Sequence, residues 1–128
     1  MDRDLWTRVD DYLSRMLVPN DVAFTEALAA SDAAGLPEIQ VTPNQGRFLE
    51  LLARSLGARA ILELGTLGGY STLWLARGLV PGGKLVTLEA DPRHAAVARA
   101  TFARAGLSDP IALRLGPALE TLRKLVAE

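Results

Sequence analysis

The stretch AILELGTLGGYS, residues Ala60 to Ser71, decides the fold of this chain. A short apolar run bounded by turn residues predicts a buried strand, and the apolar spacing after Ser71 predicts a helix packed back onto it. Glycine tolerates positive φ and, without a Cβ, lets a ligand approach the backbone closely. Free N–H groups at the start of the helix favour a polar or anionic ligand. The stretch therefore predicts a strand, a glycine loop and a helix that together form a cofactor site.

The glycine spacing and one acidic residue distinguish between cofactors. Dinucleotide-binding folds use G-x-G-x-x-G, whereas here Gly65 is followed by two other residues and then Gly68-Gly69. Glu63 adds a carboxylate near the strand end, which disfavours a pyrophosphate. S-adenosylmethionine carries a sulfonium and an ammonium, so these residues favour it over NAD. The alternative is a tight strand-to-helix turn in which Glu63 is merely solvated.

Length, composition and charge restrict the class of protein. The chain has 128 residues, a formal net charge of −1 and no cysteine. This length suits one domain with one core, and the charge gives no reason to expect a nucleic-acid partner. The lack of cysteine excludes disulfides and zinc–thiolate sites. With a charged N-terminus and no apolar run of membrane-spanning length, we expect a cytoplasmic protein with no membrane partner.

Two helices are predicted before the first strand. Apolar residues at helical spacing indicate one helix from residue 3 to about 17, and Asn20 or Asp21 can cap a second helix that closes near Gly35. Residues 1–35 thus form a predicted N-terminal helical segment, either a lid or oligomer arm or an ordinary part of the core. Residues 36–128 form the predicted Rossmann-like half-domain.

The rest of the chain alternates strands with helices. We predict an α/β fold with three parallel strands near 59–64, 84–89 and 111–115 and with helices on both faces. Glu89 ends the second strand a little over twenty residues after the glycine loop, where doubly wound folds place an acid that binds ribose hydroxyls. Because ligands bind at the carboxyl ends of parallel strands, Gly65, Glu89 and Gly116 are predicted to lie at one edge.

Four motifs occur in order and resemble those of the cation-dependent O-methyltransferases of the caffeoyl-CoA and catechol type. They are VTPNQG (Val41 to Gly46), ILELGTLGGYS (Ile61 to Ser71), LEAD (Leu88 to Asp91) and LGPAL (Leu115 to Leu119). The similarity runs from about Leu36 to the C-terminus at the spacing of that family. It implies a Rossmann-like class I methyltransferase fold and S-adenosylmethionine as cofactor.

The resemblance also implies which residues bind the cofactor. Val41 and Ser71 correspond to contacts with the methionine end, while Glu89 corresponds to the ribose contact and Ala118 to the adenine contact. The full set implied is Val41, Glu63, Gly65, Thr66, Ser71, Glu89 and Ala118.

The chain departs from the family in what it lacks. Family members continue with two further strands that carry the ligands of a divalent metal, such as Mg²⁺, and the residues that bind the acceptor. These 128 residues therefore offer no metal ligand and no catalytic residue that can be named. We expect the cofactor-binding half of an S-adenosylmethionine-dependent O-methyltransferase, inactive alone, whose acceptor is a small molecule with a hydroxyl. The alternatives are a non-catalytic S-adenosylmethionine-binding module and a nucleotide- or NAD-binding Rossmann-like protein.

The same comparison predicts self-association. In the methyltransferase fold the 59–64 strand lies in the middle of the sheet, so in this chain it becomes an edge. An uncovered apolar edge strand invites pairing with another chain. We therefore expect a homo-oligomer, most simply a two-fold dimer in which the partner covers this edge.

Overall fold

The computed structural model describes residues 2–127; Met1 and Glu128, the outer ends of the segments 1–35 and 36–128, lie outside the described residues. Within that range three strands alternate with helices, as the sequence predicts. The elements are α1 (Arg3–Leu17), α2 (Val22–Ala33), α3 (Pro43–Ser55), β1 (Ala60–Leu64), α4 (Tyr70–Gly78), β2 (Lys84–Glu89), α5 (Pro92–Arg104), β3 (Ile111–Leu115) and α6 (Ala118–Ala127). No helix described here combines the length and the apolar character that a membrane crossing requires.

Side-chain caps begin four of the helices, α1, α2, α3 and α5. The Asp21 carboxylate accepts from the N–H of Ala23 at 2.9 Å and starts α2. Thr42 and Gln45 form a reciprocal capping box at the start of α3, and Asp91 caps α5. These caps satisfy backbone donors that have no partner within the helix. Of the two caps that the sequence offers for the second helix, Asn20 and Asp21, the structure uses Asp21.

The three strands form one parallel sheet in the order β1-β2-β3. In register, Glu63 lies beside Thr87 and Leu85 lies beside Ile111. Because the strands are parallel, their carboxyl ends meet at one edge of the sheet. β1 is the outer strand on one side, as the family comparison predicts.

The core lies between one face of the sheet and helices α2, α4 and α5. Trp74 in α4 is fully buried, and the ring of Phe24 from α2 stacks on it with centroids 3.6 Å apart. Leu85 and Ile111 contribute from the sheet to the same cluster. The N-terminal helices therefore differ: α2 contributes buried aromatic area to the core, whereas α1 has no buried residue.

A polar contact secures α2 beside this aromatic cluster. Asp21 forms an ion pair with Arg77 of α4 at 2.6 Å, and the Arg77 guanidinium lies 4.5 Å from the centre of the Phe24 ring. The hydrogen bond from the N–H of Ala23 and that from Arg77 lower the pKa of Asp21. Partly exposed ion pairs of this kind contribute about 1 kcal/mol or less, whereas burying an aromatic side chain contributes roughly 2–3 kcal/mol. Burial of Phe24 is therefore the main attachment of α2.

The opposite face of the sheet is only partly covered. Leu88 points to that face and is buried, and α6 contacts β2. At the β1 end, Leu62 is 48% exposed and Leu64 is 58% exposed. Helices thus lie on both faces, but the described residues leave β1 about half uncovered on the second one.

Gly46→Ala tests the packing of α3 against the core. Alanine normally stabilises a helix relative to glycine by about 1 kcal/mol. A Cβ at residue 46 would, however, overlap the indole of Trp74, which is itself stacked on Phe24. Overpacking of this kind costs about 1–3 kcal/mol, so we expect a net loss in the free energy of unfolding measured by urea denaturation. Ala100→Gly, at an exposed position in α5, measures the difference in stability between alanine and glycine in a helix. A gain in stability for Gly46→Ala would contradict the packing described.

Candidate functional site

The carboxylate of Glu63 is held by three hydroxyl groups. Ser71 and Thr72, in the first turn of α4, donate to its two oxygens at 2.6 and 2.5 Å. Thr87, its neighbour in register on β2, donates at 2.6 Å to the same oxygen as Thr72. The alternative of a merely solvated Glu63 is therefore wrong.

Burial raises the pKa of Glu63, and the hydrogen bonds from Ser71, Thr72 and Thr87 oppose that rise. Hydroxyl donors stabilise the ionised form but carry no charge of their own. In the part of the chain that the structure describes, no lysine, arginine or histidine is paired with Glu63. The site therefore holds a partly buried anionic group without a protein cation beside it.

The glycines of the loop serve different purposes. Gly65 has φ +89°, and a Cβ built there would meet nothing within 4 Å, so its backbone faces open space. At Gly68 a Cβ would overlap the Ser31 hydroxyl of α2, and at Gly69 it would overlap the Phe102 ring of α5. Of the three, Gly65 has open space where a Cβ would be, whereas the lack of a Cβ at Gly68 and Gly69 allows two helices to pack against the loop.

Glu89 fastens the glycine loop to the end of β2. One carboxylate oxygen accepts from the N–H groups of Thr66 and Leu67 at 3.2 and 2.8 Å. The other accepts from Ala90 and Asp91, both at 2.9 Å. A carboxylate has about four acceptor positions, and these four backbone donors occupy them. The predicted ribose hydroxyls would therefore have to share these positions with the backbone donors or displace the donors. His94 lies 3.7 Å from the same carboxylate.

A cleft of about 530 Å³ opens beside the loop and the end of β1. Five of the seven predicted cofactor residues line it: Val41, Glu63, Gly65, Thr66 and Ser71. Glu89 does not line the cleft. Its carboxylate accepts hydrogen bonds from the N–H groups of Thr66 and Leu67, which form part of the cleft wall. Ala118 also lies outside the cleft, at the start of α6, two residues after the point where Gly116 bonds to the Glu89 carbonyl.

Several residues of the site were not predicted from the sequence. Ser31 and Gln40 line the cleft, while Thr72 and Thr87 are fully buried beside the Glu63 carboxylate. A signal for Thr87 existed, because it is a polar residue inside an otherwise apolar stretch, two positions before Glu89. Its place next to Glu63 depends on the register of β1 against β2, in which Glu63 pairs with Thr87.

The described residues form no site for the divalent metal that the family resemblance implies. Residues 2–127 contain no group of three or more His, Cys, Asp or Glu side chains that could hold an ion. The Glu63 carboxylate already accepts hydrogen bonds from hydroxyl groups, and the Glu89 carboxylate accepts them from backbone N–H groups. No step of chemistry is therefore assigned to a metal bound by this part of the chain.

The parallel sheet, the glycine loop and the acids at two adjacent strand ends define a Rossmann-like α/β fold. The sequence model of the family described as O-methyltransferase matches residues 19–128. The chain belongs to the O-methyltransferase family.

Individual relatives agree with this assignment. A catechol O-methyltransferase from Mycobacterium tuberculosis is 56% identical over 117 residues, which are 91% of this chain and 53% of that protein. A catechol O-methyltransferase from Niastella koreensis is 48% identical over 128 residues, covering 100% of this chain and 58% of the relative. The crystal structure of an O-methyltransferase from Bacillus cereus in complex with SAH (S-adenosylhomocysteine) superimposes with a TM-score of 0.95 at 51% identity, over 98% of this chain and 57% of that one. The chain thus spans little more than half the length of these relatives.

Glu63→Gln tests the electrostatic state of the site. Because the pKa of Glu63 is raised on folding, the folded protein binds this proton more tightly than the unfolded chain does. The resulting stabilisation is fully present below the unfolded pKa and is lost as pH rises through the folded pKa. We expect Glu63→Gln, which cannot ionise, to have a higher Tm than wild type at neutral pH. The difference should vanish below about pH 4.

Thermal unfolding across this pH range measures the effect. Glu38→Gln makes the same chemical change at an exposed position and should follow the wild-type curve. A Glu63→Gln protein that is less stable than wild type by the same amount at every pH would contradict the electrostatic account.

Proposed function

We propose that this chain carries the S-adenosylmethionine-binding part of an O-methyltransferase. The observation that carries the proposal is Glu63, a partly buried carboxylate with hydroxyl donors only, on the wall of a cleft beside the open backbone of Gly65. A ligand with an ammonium or sulfonium group would supply the missing cation. The complex with SAH of the Bacillus cereus relative supports the same ligand class.

The residues of the cleft suggest how such a ligand would be held. Glu63 would attract the ammonium group, and Val41 and Ser71 would contact the methionine end. Glu89 would bind the ribose hydroxyls by sharing its backbone donors, and Ala118 would flank the adenine. S-adenosylmethionine supplies an activated methyl group for transfer to an oxygen nucleophile. This chain contributes binding and orientation, which reduce the entropic cost of bringing donor and acceptor together.

The rest of the proposal concerns the whole protein. We propose a small-molecule hydroxyl as acceptor, because two relatives carry the name catechol O-methyltransferase. We also propose a cytoplasmic location and no nucleic-acid partner, and a division into segments 1–35 and 36–128. Residues 1–128 alone should bind the cofactor without turning over, because Glu63 and Glu89 are committed to the cofactor and the described residues include no cluster of metal ligands.

Calorimetry with SAH and with NAD tests the ligand class directly. Binding of SAH but not NAD supports the proposal, and preference for NAD would overturn it in favour of a nucleotide-binding protein. Methyl transfer by the full-length protein to a catechol, with and without Mg²⁺, then separates an enzyme from a binding module. Tight SAH binding without transfer to any hydroxyl acceptor would favour the non-catalytic module.

The contribution of Glu89 can be isolated by comparison with its neighbour Asp91. Glu89→Ala leaves four backbone N–H groups without their acceptor and removes the proposed ribose contact. We expect SAH affinity to fall by about 30-fold or more, equivalent to about 2 kcal/mol. Asp91→Ala removes a helix cap worth about 1 kcal/mol of stability and a 3.7 Å contact with His94, but its N–H bond to Glu89 is retained. Titrations of the two folded variants that coincide would remove Glu89 from the site.

We also propose that the 128-residue chain forms a two-fold dimer. In the described part of the chain β1 has a strand neighbour on one side only, and its own residues Leu62 and Leu64 are exposed. α1 offers a second uncovered apolar surface, on which Trp6 is 58% exposed and Met16 is 66% exposed. A partner's N-terminal helices could cover the β1 edge through such surfaces.

Sedimentation velocity at micromolar concentration tests this arrangement. We expect a dimer for the 128-residue chain and a monomer for Leu62→Lys, because a charge cannot be buried in an apolar interface without a partner. Val126→Lys changes an apolar residue of α6 that is 89% exposed and should leave the dimer intact. A wild-type monomer with rapid amide exchange along residues 60–64 would exclude the proposed interface.

A further inference from the structure

A buried chain of hydrogen bonds joins the two acidic residues of the site. Glu63 accepts from Thr87, whose oxygen lies 2.6 Å from the Thr66 hydroxyl. The backbone N–H of Thr66 in turn donates to Glu89 at 3.2 Å. Thr87 is 0% exposed and Thr66 is 2% exposed. Thr87 does not line the cleft, so the proposed function gives it no direct contact with the cofactor.

The direction of these hydrogen bonds follows from counting hydrogens. Each threonine hydroxyl has one hydrogen to donate. When Glu63 is ionised, Thr87 donates to it and therefore accepts from Thr66. Thr66 has a second acceptor in the Leu88 carbonyl, but that oxygen is 3.2 Å away, against 2.6 Å to Thr87. When Glu63 is protonated it can donate instead, and both threonine hydroxyls are free to turn round.

From this geometry we propose that Thr87, supported by Thr66, is a positioning residue that keeps Glu63 ionised and correctly oriented for the cofactor. The inference rests on the proposed function, because it concerns the same cleft. Thr87 lies on β2, behind the wall of the cleft, and the inference adds it to the residues that determine cofactor affinity.

Packing alone does not account for a threonine at residue 87. Valine has nearly the same shape and suits the interior of a parallel strand better. A buried hydroxyl costs free energy unless it is hydrogen-bonded. Thr87 satisfies this requirement through two side-chain contacts, both within the site.

The surroundings of Glu63 contain few other groups that could control its charge. From α4 it faces the hydroxyls of Ser71 and Thr72, and from β2 that of Thr87. The titratable side chain of Tyr70 also lines the cleft, and burial raises its pKa. Glu89 is connected only through Thr66, with His94 3.7 Å beyond it. Hydroxyl donors are therefore the immediate neighbours of the carboxylate.

Thr87→Val in the full-length protein tests the inference through the pH dependence of SAH binding. Loss of one donor disfavours ionised Glu63, so the pH midpoint for SAH binding should move upward. Just below the wild-type midpoint we expect roughly tenfold weaker binding. Well above both midpoints Glu63 is ionised in either protein, and the affinities should converge. A purely structural role for Thr87 would instead weaken binding equally at every pH.

Two control variants make the comparison specific. Thr87→Ser keeps the hydroxyl and should restore the wild-type midpoint. Thr101→Val makes the same change at a buried threonine in α5, 2% exposed and bonded to Arg104 outside the site, and should not move the midpoint. If Thr87→Val folds poorly, Thr66→Val retains the backbone N–H bond to Glu89 and should shift the midpoint in the same direction.

Carbon-13 NMR titration of the Glu63 carboxyl, without ligand, separates this inference from the proposed function. A higher titration midpoint in Thr87→Val supports the positioning role even if SAH does not bind. An unchanged Glu63 titration overturns it even if SAH binds the wild type tightly. Failure of wild-type protein to bind SAH overturns the proposed function alone.

Discussion

The site depends on one carboxylate whose hydrogen-bond donors, among the described residues, are all backbone N–H groups. Glu89 accepts from two N–H groups of the glycine loop and from two N–H groups that follow β2. A hydrogen bond to a charged acceptor contributes about 1.5–3 kcal/mol, and three of these four bonds are partly buried. The bonds fix where the chain leaves β1, and hence where α4 begins. Without them neither the open backbone of Gly65 nor the hydroxyls of α4 would have a defined position beside the cleft.

The two acids of the site are stabilised in different ways. The donors to Glu89 are backbone groups, which cannot turn away when its surroundings change. The donors to Glu63 are hydroxyls, which rotate about a single bond and can accept as well as donate. Glu89 is thus suited to hold the loop in place, and Glu63 is suited to respond to the charge of a bound molecule. A binding site needs both properties, since rigid surroundings lower the cost of ordering and a responsive group provides selectivity.

Local patterns in the sequence were sufficient for the fold. The cap at Asp21 and the three apolar runs predicted their elements almost to the residue, because each signal is contained within a few neighbouring positions. Five of the seven predicted cofactor residues also line one cleft, although their contact with a ligand stays a prediction. The features that were not predicted depend on contacts between residues that are far apart in the sequence. The place of Phe24 in the core requires Trp74, and the role of Thr87 requires the register of two strands.

The contact between α2 and the glycine loop has an evolutionary consequence. The Ser31 hydroxyl occupies the space that a side chain at residue 68 would need. The two positions are far apart in the sequence but share one small volume, so a substitution at either changes what the other can tolerate. Among homologues, an alanine at residue 68 should therefore occur together with an alanine or glycine at residue 31 or with a displaced helix. Glycine at residue 68 would then be explained by the closeness of α2 and not by contact with a ligand.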